Sequence, residues 1–401
     1  MVPQKSIKGL FIILSICIIF CYTAVMLFIS SAKVVNIWDE AIYANNGLEM
    51  YLNKSYLVYT VNNIVDYYNT KPPLALYSHV LSYNIFGVNI FALRFSSYMS
   101  LIIILISVIY FSKKYFNSIS VGIFASIIYA TNTGVMRQHV FYTGDLDAIL
   151  CVIINFIVLI RLKQLVNNKI HTSEIYLTSV LFALAHLTKS LSSLFILLPL
   201  VCSYIINKDF IALLINKHTY LAIILFLLTA SSYYLLRVPI DNGFWNVVWE
   251  SEFKRLFYDV MPWNNQPWYH YFETIWNKFF RYQLILFALF GIAYFFLPVK
   301  NTTIQKCIIH LIILCIGYLL FISIPKSKMD FYPAPLYTSF SFIIALLIYE
   351  FYINYKTQFY LNEYKIILLA FLLFVYPAYT TAIETREYSK SFFHRKRNLI
   401  Y

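Results

Sequence analysis

Apolar residues run in long blocks along this chain, and polar residues gather between them. The first block covers about residues 10–29 and the last about 366–382. Blocks of about 17–22 residues recur, enough for a helix to cross a hydrocarbon core of about 30 Å. The pattern predicts transmembrane helices near 9–30, 92–111, 118–136, 147–161, 174–188, 190–206, 219–236, 282–298, 307–324, 334–351 and 366–382, about eleven in all. Strand-and-turn alternation is too sparse for a β-barrel. The expected fold class is all-α integral membrane, a polytopic helical bundle forming one domain over 1–401. Leu187-Thr188-Lys189-Ser190 interrupts one long apolar region and predicts a tight turn at the membrane surface.

Composition agrees with that reading. Of 401 residues, 60% are hydrophobic and 12% charged, against about 25% charged in soluble domains. The net charge of +13 raises the question of nucleic acid. The basic residues scatter through short loops instead of striping one element, which argues against that partner. Some suit lipid headgroups. The six cysteines all lie inside apolar runs, so neither a disulfide frame nor a metal spacing is expected. Lys5, Lys8 and Ser30-Ser31-Ala32 give the N-terminus the outline of a signal peptide. Its apolar stretch of about twenty residues exceeds the usual h-region of about 7–15, and it reads as a retained first transmembrane helix.

Lys5 and Lys8 put the N-terminus in the cytoplasm. Alternation then puts 31–91, 237–281 and 325–333 on the outer face, with the turns at 137–146 and 188–190. About as many Lys and Arg fall outside as inside, and the basic tail 384–401, with His394-Arg395-Lys396-Arg397, joins the outer set. Either the helix count is off by one, or the outer basic residues have a specific job. The two long outer segments are amphipathic. Tyr43 to Leu52 predicts one surface helix. Leu74 to Phe86 predicts another, opened by Pro72-Pro73 and closed by Gly87. Residues 237–281 set five tryptophans among charges, as interfacial segments do.

Candidate chemistry collects on that outer face. Asp39 and Glu40 follow the first apolar block, and Asp145 and Asp147 open a later one. Either pair can be a solvated or helix-capping pair. Two acidic sites facing one compartment can also divide work, one accepting a proton while the other orients a hydroxyl or a metal. Lys71, Lys189, Lys326 and Lys328 are individually suited to headgroups, and together they could cradle a phosphate. This suggests group transfer from a lipid phosphate, with fixed cations stabilising the leaving group. A transporter or lipid flippase is the alternative, but the charges sit at helix ends instead of mid-helix.

These residues resemble the membrane-embedded GT-C glycosyltransferases, specifically the protein O-mannosyltransferase and aminoarabinose-transferase superfamily. The resemblance rests on motifs in order: Asp39-Glu40 before Ala41-Ile42-Tyr43-Ala44, Lys71-Pro72-Pro73-Leu74, Phe86-Gly87-Val88 before Arg94, Thr143 to Leu150, Leu187-Thr188-Lys189, and Ser327 to Pro335. It covers about residues 36–345. It implies an inverting transferase of the bacterial inner membrane, a monomer whose active site faces the periplasm or cell exterior. The donor would be a polyprenyl-phosphate sugar and the acceptor a lipid, glycan or protein. Carried over, Asp39 would be the catalytic carboxylate or acceptor binder and Asp145 or Asp147 the second acidic position; with Glu40 beside Asp39, these four are the candidate catalytic residues. Lys71, Lys189, Lys326, Lys328 and Tyr332 form the donor-phosphate set. Some relatives place Glu before Lys-Pro-Pro and a downstream His as metal ligands. Here Thr70 and Asn264 stand there, so no metal of that kind is expected. The chain is also short at its C-terminus, and acceptor recognition is expected in 237–281.

Overall fold

The computed structural model describes residues 4–31, 35, 39–141, 146–254, 258, 264–279, 281–358, 360, 365, 367–368, 371–372 and 374–383. An apolar helix α1 (Gln4–Ser31) leads into α2 (Asp39–Asn53), whose first turn holds Asp39 and Glu40. Carboxylates there complement the positive end of the helix dipole. A two-residue hairpin pairs Thr60 with Val65, and α3 (Leu74–Phe86) follows. Gly87 ends α3 with φ of 74°, a left-handed value that suits glycine, and its N–H donates to the Tyr83 carbonyl.

The long helices are α4 (Ile90–Tyr115), α7 (Leu146–Asn167) and α11 (Lys217–Arg237), followed by Thr302–Ser323 and Tyr337–Tyr355. Between α4 and α7 the chain is broken into α5 (Ile119–Ala130) and α6 (Thr133–Met136), the latter running into a π-helical turn at Arg137–Phe141. The two parts are bent by 68°. Asn132 causes the restart: its side chain accepts from the Val135 N–H at 3.0 Å, an N-cap in mid-span. Helix α5 is buried along its whole length between α4 and Tyr337–Tyr355.

Within the described residues the structure shows fewer candidate spans than the eleven expected. Among the described residues, six helices are long and apolar enough to cross a membrane, or up to eight if each of two bent pairs is one span. The predicted 118–136 and 282–298 spans both fall in bent pairs, and 366–382 is interrupted by residues outside the described set. The stretches expected as 174–188 and 190–206 form one 35-residue helical segment, composed of α8 (Thr172–Lys189), a 3₁₀ stretch Ser190–Ile196 and α9 (Leu197–Ile206). That segment doubles back. Lys189 meets Asp147 at the start of α7, whereas Glu174 pairs with Lys163 and Ser203 meets Arg161 near its end. The reversal begins at Ser190, whose φ is 53°. A short helix α10 (Phe210–Leu214) then leads into α11.

Close helix contact has one sharp test. A Cβ on Gly122 of α5 would lie 2.6 Å from the Ile109 Cα of α4. Backbone cannot rotate out of the way, so Gly122→Ala forces the two helices apart. The expected cost is about 1–3 kcal/mol, read as a lower unfolding temperature in detergent. An unchanged temperature would contradict the packing.

Candidate active site

A cleft of about 290 Å³ opens where six stretches of chain meet: the start of α2, 67–71, the turn after α8, 251–252, Asn264, and 322–332. Asp39, Lys71, Lys189 and Tyr332 all line it. These residues are spread over almost 300 positions of sequence and reach one cavity only through the fold.

The stretch before α3 is fixed by a chain of amides. Asn46 of α2 accepts from Asn69 at 2.8 Å and donates to Asp66 at 2.9 Å. The Lys71 N–H donates to the Asn69 side chain, and the Lys71 carbonyl accepts from the buried Tyr59 hydroxyl at 2.9 Å. The Lys71 backbone is thus held from both sides, and its ammonium points into the cleft. There it forms an ion pair with Glu252, which also accepts from the Thr70 hydroxyl at 2.9 Å.

Glu252 lies on a π-helical turn, Trp249–Lys254, that continues α12 (Phe244–Val248). It lines the cleft and is buried. Burial pushes its carboxyl upward, but the Lys71 ammonium and hydrogen bonds from Lys71, Thr70 and Ser190 outweigh that and hold it below the usual carboxylate value. The same segment is tied on by Tyr67, whose hydroxyl donates to Asp241 at 2.8 Å. Asp241 in turn meets the buried Arg237, whose guanidinium lies 3.8 Å from the Phe244 ring centre and 4.7 Å from that of Tyr59. Sequence reasoning missed Glu252. Its one signal was a carboxylate in the aromatic run Trp249-Glu250-Ser251-Glu252.

Across the cleft, Lys189 forms an ion pair with Asp147 and sits 4.9 Å and 5.1 Å from the ring centres of Phe331 and Tyr332. Asp147 is 1% exposed and does not line the cleft. Its ion pair aims Lys189. Asp39 is half-buried on the cleft wall, whereas Glu40 turns away. The Glu40 carboxylate receives Arg94 through Nε at 2.8 Å and Nη2 at 3.2 Å, with both side chains 1% exposed.

The remaining expected residues divide. Asp145 lies outside the described residues. Lys326 is exposed and Lys328 buried, and neither lines the cleft. The Lys328 ammonium donates to the backbone carbonyls of Gln266 at 3.0 Å and Pro325 at 2.5 Å, and burial lowers its pKa. With an antiparallel bridge between Asn265 and Ser327, it staples 264–266 to 325–328. Thr70 and Asn264 both line the cleft. Among the described residues, no three His, Cys, Asp or Glu side chains are grouped to hold a metal ion.

Comparison with known proteins follows the same line. Residues 70–234 match the family model described as dolichyl-phosphate-mannose-protein mannosyltransferase. That range includes Lys71, Asp147 and Lys189, while Asp39, Glu252 and Tyr332 lie beyond it. No curated protein matches the sequence significantly. The fold is similar to ArnT from Cupriavidus metallidurans solved with undecaprenyl phosphate, at TM-score 0.68 and 16% identity, covering 84% of this chain and 59% of that one. The apo form of that protein gives 0.67, 15%, 86% and 60%. An oligosaccharyltransferase from Archaeoglobus fulgidus gives 0.53, 13%, 92% and 56%. The chain therefore spans about three-fifths of the length of ArnT.

Proposed function

We propose, starting from the match of residues 70–234 to the family model described as dolichyl-phosphate-mannose-protein mannosyltransferase, that this chain is an inverting glycosyltransferase. It moves a sugar from a polyprenyl-phosphate donor to a lipid, glycan or protein acceptor at the outer face of the cytoplasmic membrane. The observation that carries this reading is the convergence of one carboxylate, Asp39, and two lysines, Lys71 and Lys189, on one cleft beside the Phe331 and Tyr332 rings. A fold similar to that of ArnT, solved with undecaprenyl phosphate, supports a polyprenyl phosphate as the leaving group.

The chemistry follows from the placement. The bond from the sugar C1 to the phosphate oxygen breaks, and the phosphate leaves with the electron pair. Lys71 and Lys189 face the charge that builds on it in a cleft partly shielded from water. An acceptor oxygen bonds to C1 from the opposite face, and its proton passes to Asp39. Asp147 fixes Lys189. Glu40, through Arg94, anchors the first turn of α2 and so the position of Asp39. Lys326 and Lys328 serve the loop instead of the donor.

Mass spectrometry of envelope lipids, glycans and glycoproteins from cells with and without the gene tests this directly. The expected result is loss of a hexose, pentose or amino-sugar increment from one class of molecule, which identifies donor and acceptor together. Unchanged glycan profiles alongside an ion-coupled flux through the purified protein would make it a transporter.

A further inference from the structure

We propose that Glu252 is a positioning residue that competes with the donor phosphate for Lys71, so that Lys71 exchanges carboxylate for phosphate when the lipid binds and returns when it leaves. This rests on the reading of the cleft as a polyprenyl-phosphate site.

Lys71 does not wait in water for its ligand. Its side chain is about one-fifth exposed, and its ammonium is already paired with the carboxylate of Glu252, a side chain that is nearly buried. A phosphate reaching Lys71 enters beside that fixed negative charge, and like charges in a poorly hydrated cleft repel strongly. Phosphate binding and the Lys71–Glu252 pair are therefore alternatives. The exchange is possible because Glu252 keeps another partner. The Thr70 hydroxyl donates to it at 2.9 Å. Thr70 is itself 3% exposed and accepts from the Ser251 hydroxyl at 3.1 Å. When the ammonium swings to the phosphate, the buried carboxylate remains hydrogen-bonded, so the cost of leaving it alone is reduced.

The arrangement also serves release. After transfer, the free polyprenyl phosphate carries more negative charge than the sugar-bearing donor, and two lysines would retain it. Glu252 offers Lys71 a competing partner at that moment. Lys189 differs: its partner Asp147 sits behind it, outside the cleft, and stays bound throughout.

The test is binding of undecaprenyl phosphate to the full chain in detergent, by calorimetry, with turnover where a donor is in hand. Glu252→Gln removes the competing charge and keeps the shape. Its expected effect is binding about tenfold tighter, with KM and kcat both lowered because product leaves more slowly. Thr70→Val leaves the charge but strips a hydrogen bond from the vacated carboxylate, so it is expected to weaken binding about threefold. These opposite signs separate exchange from general damage to the site. Equal or weaker binding by Glu252→Gln overturns the proposal. If that variant does not fold, Thr70→Val decides alone, and unchanged or tighter binding rejects it. Lys71→Met controls the premise. If it binds undecaprenyl phosphate as well as wild type, the cleft is not the phosphate site, and the reading beneath the proposal fails.

Discussion

Asp39→Asn is expected to abolish most sugar transfer while the protein still folds. Asp39 stands in the first turn of α2, half-buried on the cleft wall, where the proposed reaction puts the acceptor hydroxyl. Asparagine preserves size and can still hydrogen-bond, but it cannot take a proton. Loss of a positioned general base costs about 10²–10⁴ in rate, and that fall is expected in kcat with donor KM little changed. The lysines proposed to hold the phosphate are untouched. Transfer by Asp39→Asn at the wild-type rate would remove Asp39 from catalysis. A fall of less than about tenfold identifies an acceptor ionised at neutral pH, such as a phosphate, for which Asp39 only orients.

The neighbouring residue gives the opposite kind of effect. Glu40 and Arg94 form a two-point ion pair in which both side chains are 1% exposed. Glu40→Ala leaves the Arg94 guanidinium buried without this carboxylate, at a cost of about 3–5 kcal/mol, read as a large drop in unfolding temperature or yield. Replacing both members, Glu40→Leu with Arg94→Leu, removes the stranded charge and is expected to restore most of the loss, because a buried pair and an apolar pair of similar volume are of comparable stability. If Glu40→Ala melts like wild type and yet transfers no sugar, then Glu40 works in the reaction and not in the scaffold. Two adjacent carboxylates thus separate by assay, one through rate and one through stability.

How much of this was legible in the sequence depends on what each signal measures. Apolar runs report burial in lipid or core, so nearly every predicted span coincides with a helix. They do not report bending, and the 68° break at Thr131-Asn132 went unread although Asn132 is a good capping residue. Pro72-Pro73 and Gly87 set the limits of α3 because prolines and glycine act on their own backbone. Within the site, Asp39, Lys71, Lys189 and Tyr332 were legible from ordered motifs. Lys328 was assigned to phosphate because a lysine's charge says nothing about direction, and here the side chain turns to carbonyls. Glu252 was invisible because its significance is relational: it matters only through Lys71, 181 residues away.

That separation has a consequence for how the protein is made. During synthesis at about 5–20 residues per second, Lys71 is added to the chain roughly 9–36 s before Glu252. For that interval the nascent chain carries helices α3 and α4 with a lysine at their entrance that lacks its later counter-charge. The ties from Tyr67 to Asp241 and from Thr70 to Glu252 also span 174 and 182 residues, so they close together and late. The cleft is therefore an end product of assembly: its walls come from the start of α2, from 67–71 and from 251–252, and it is complete only after 322–332 has been made.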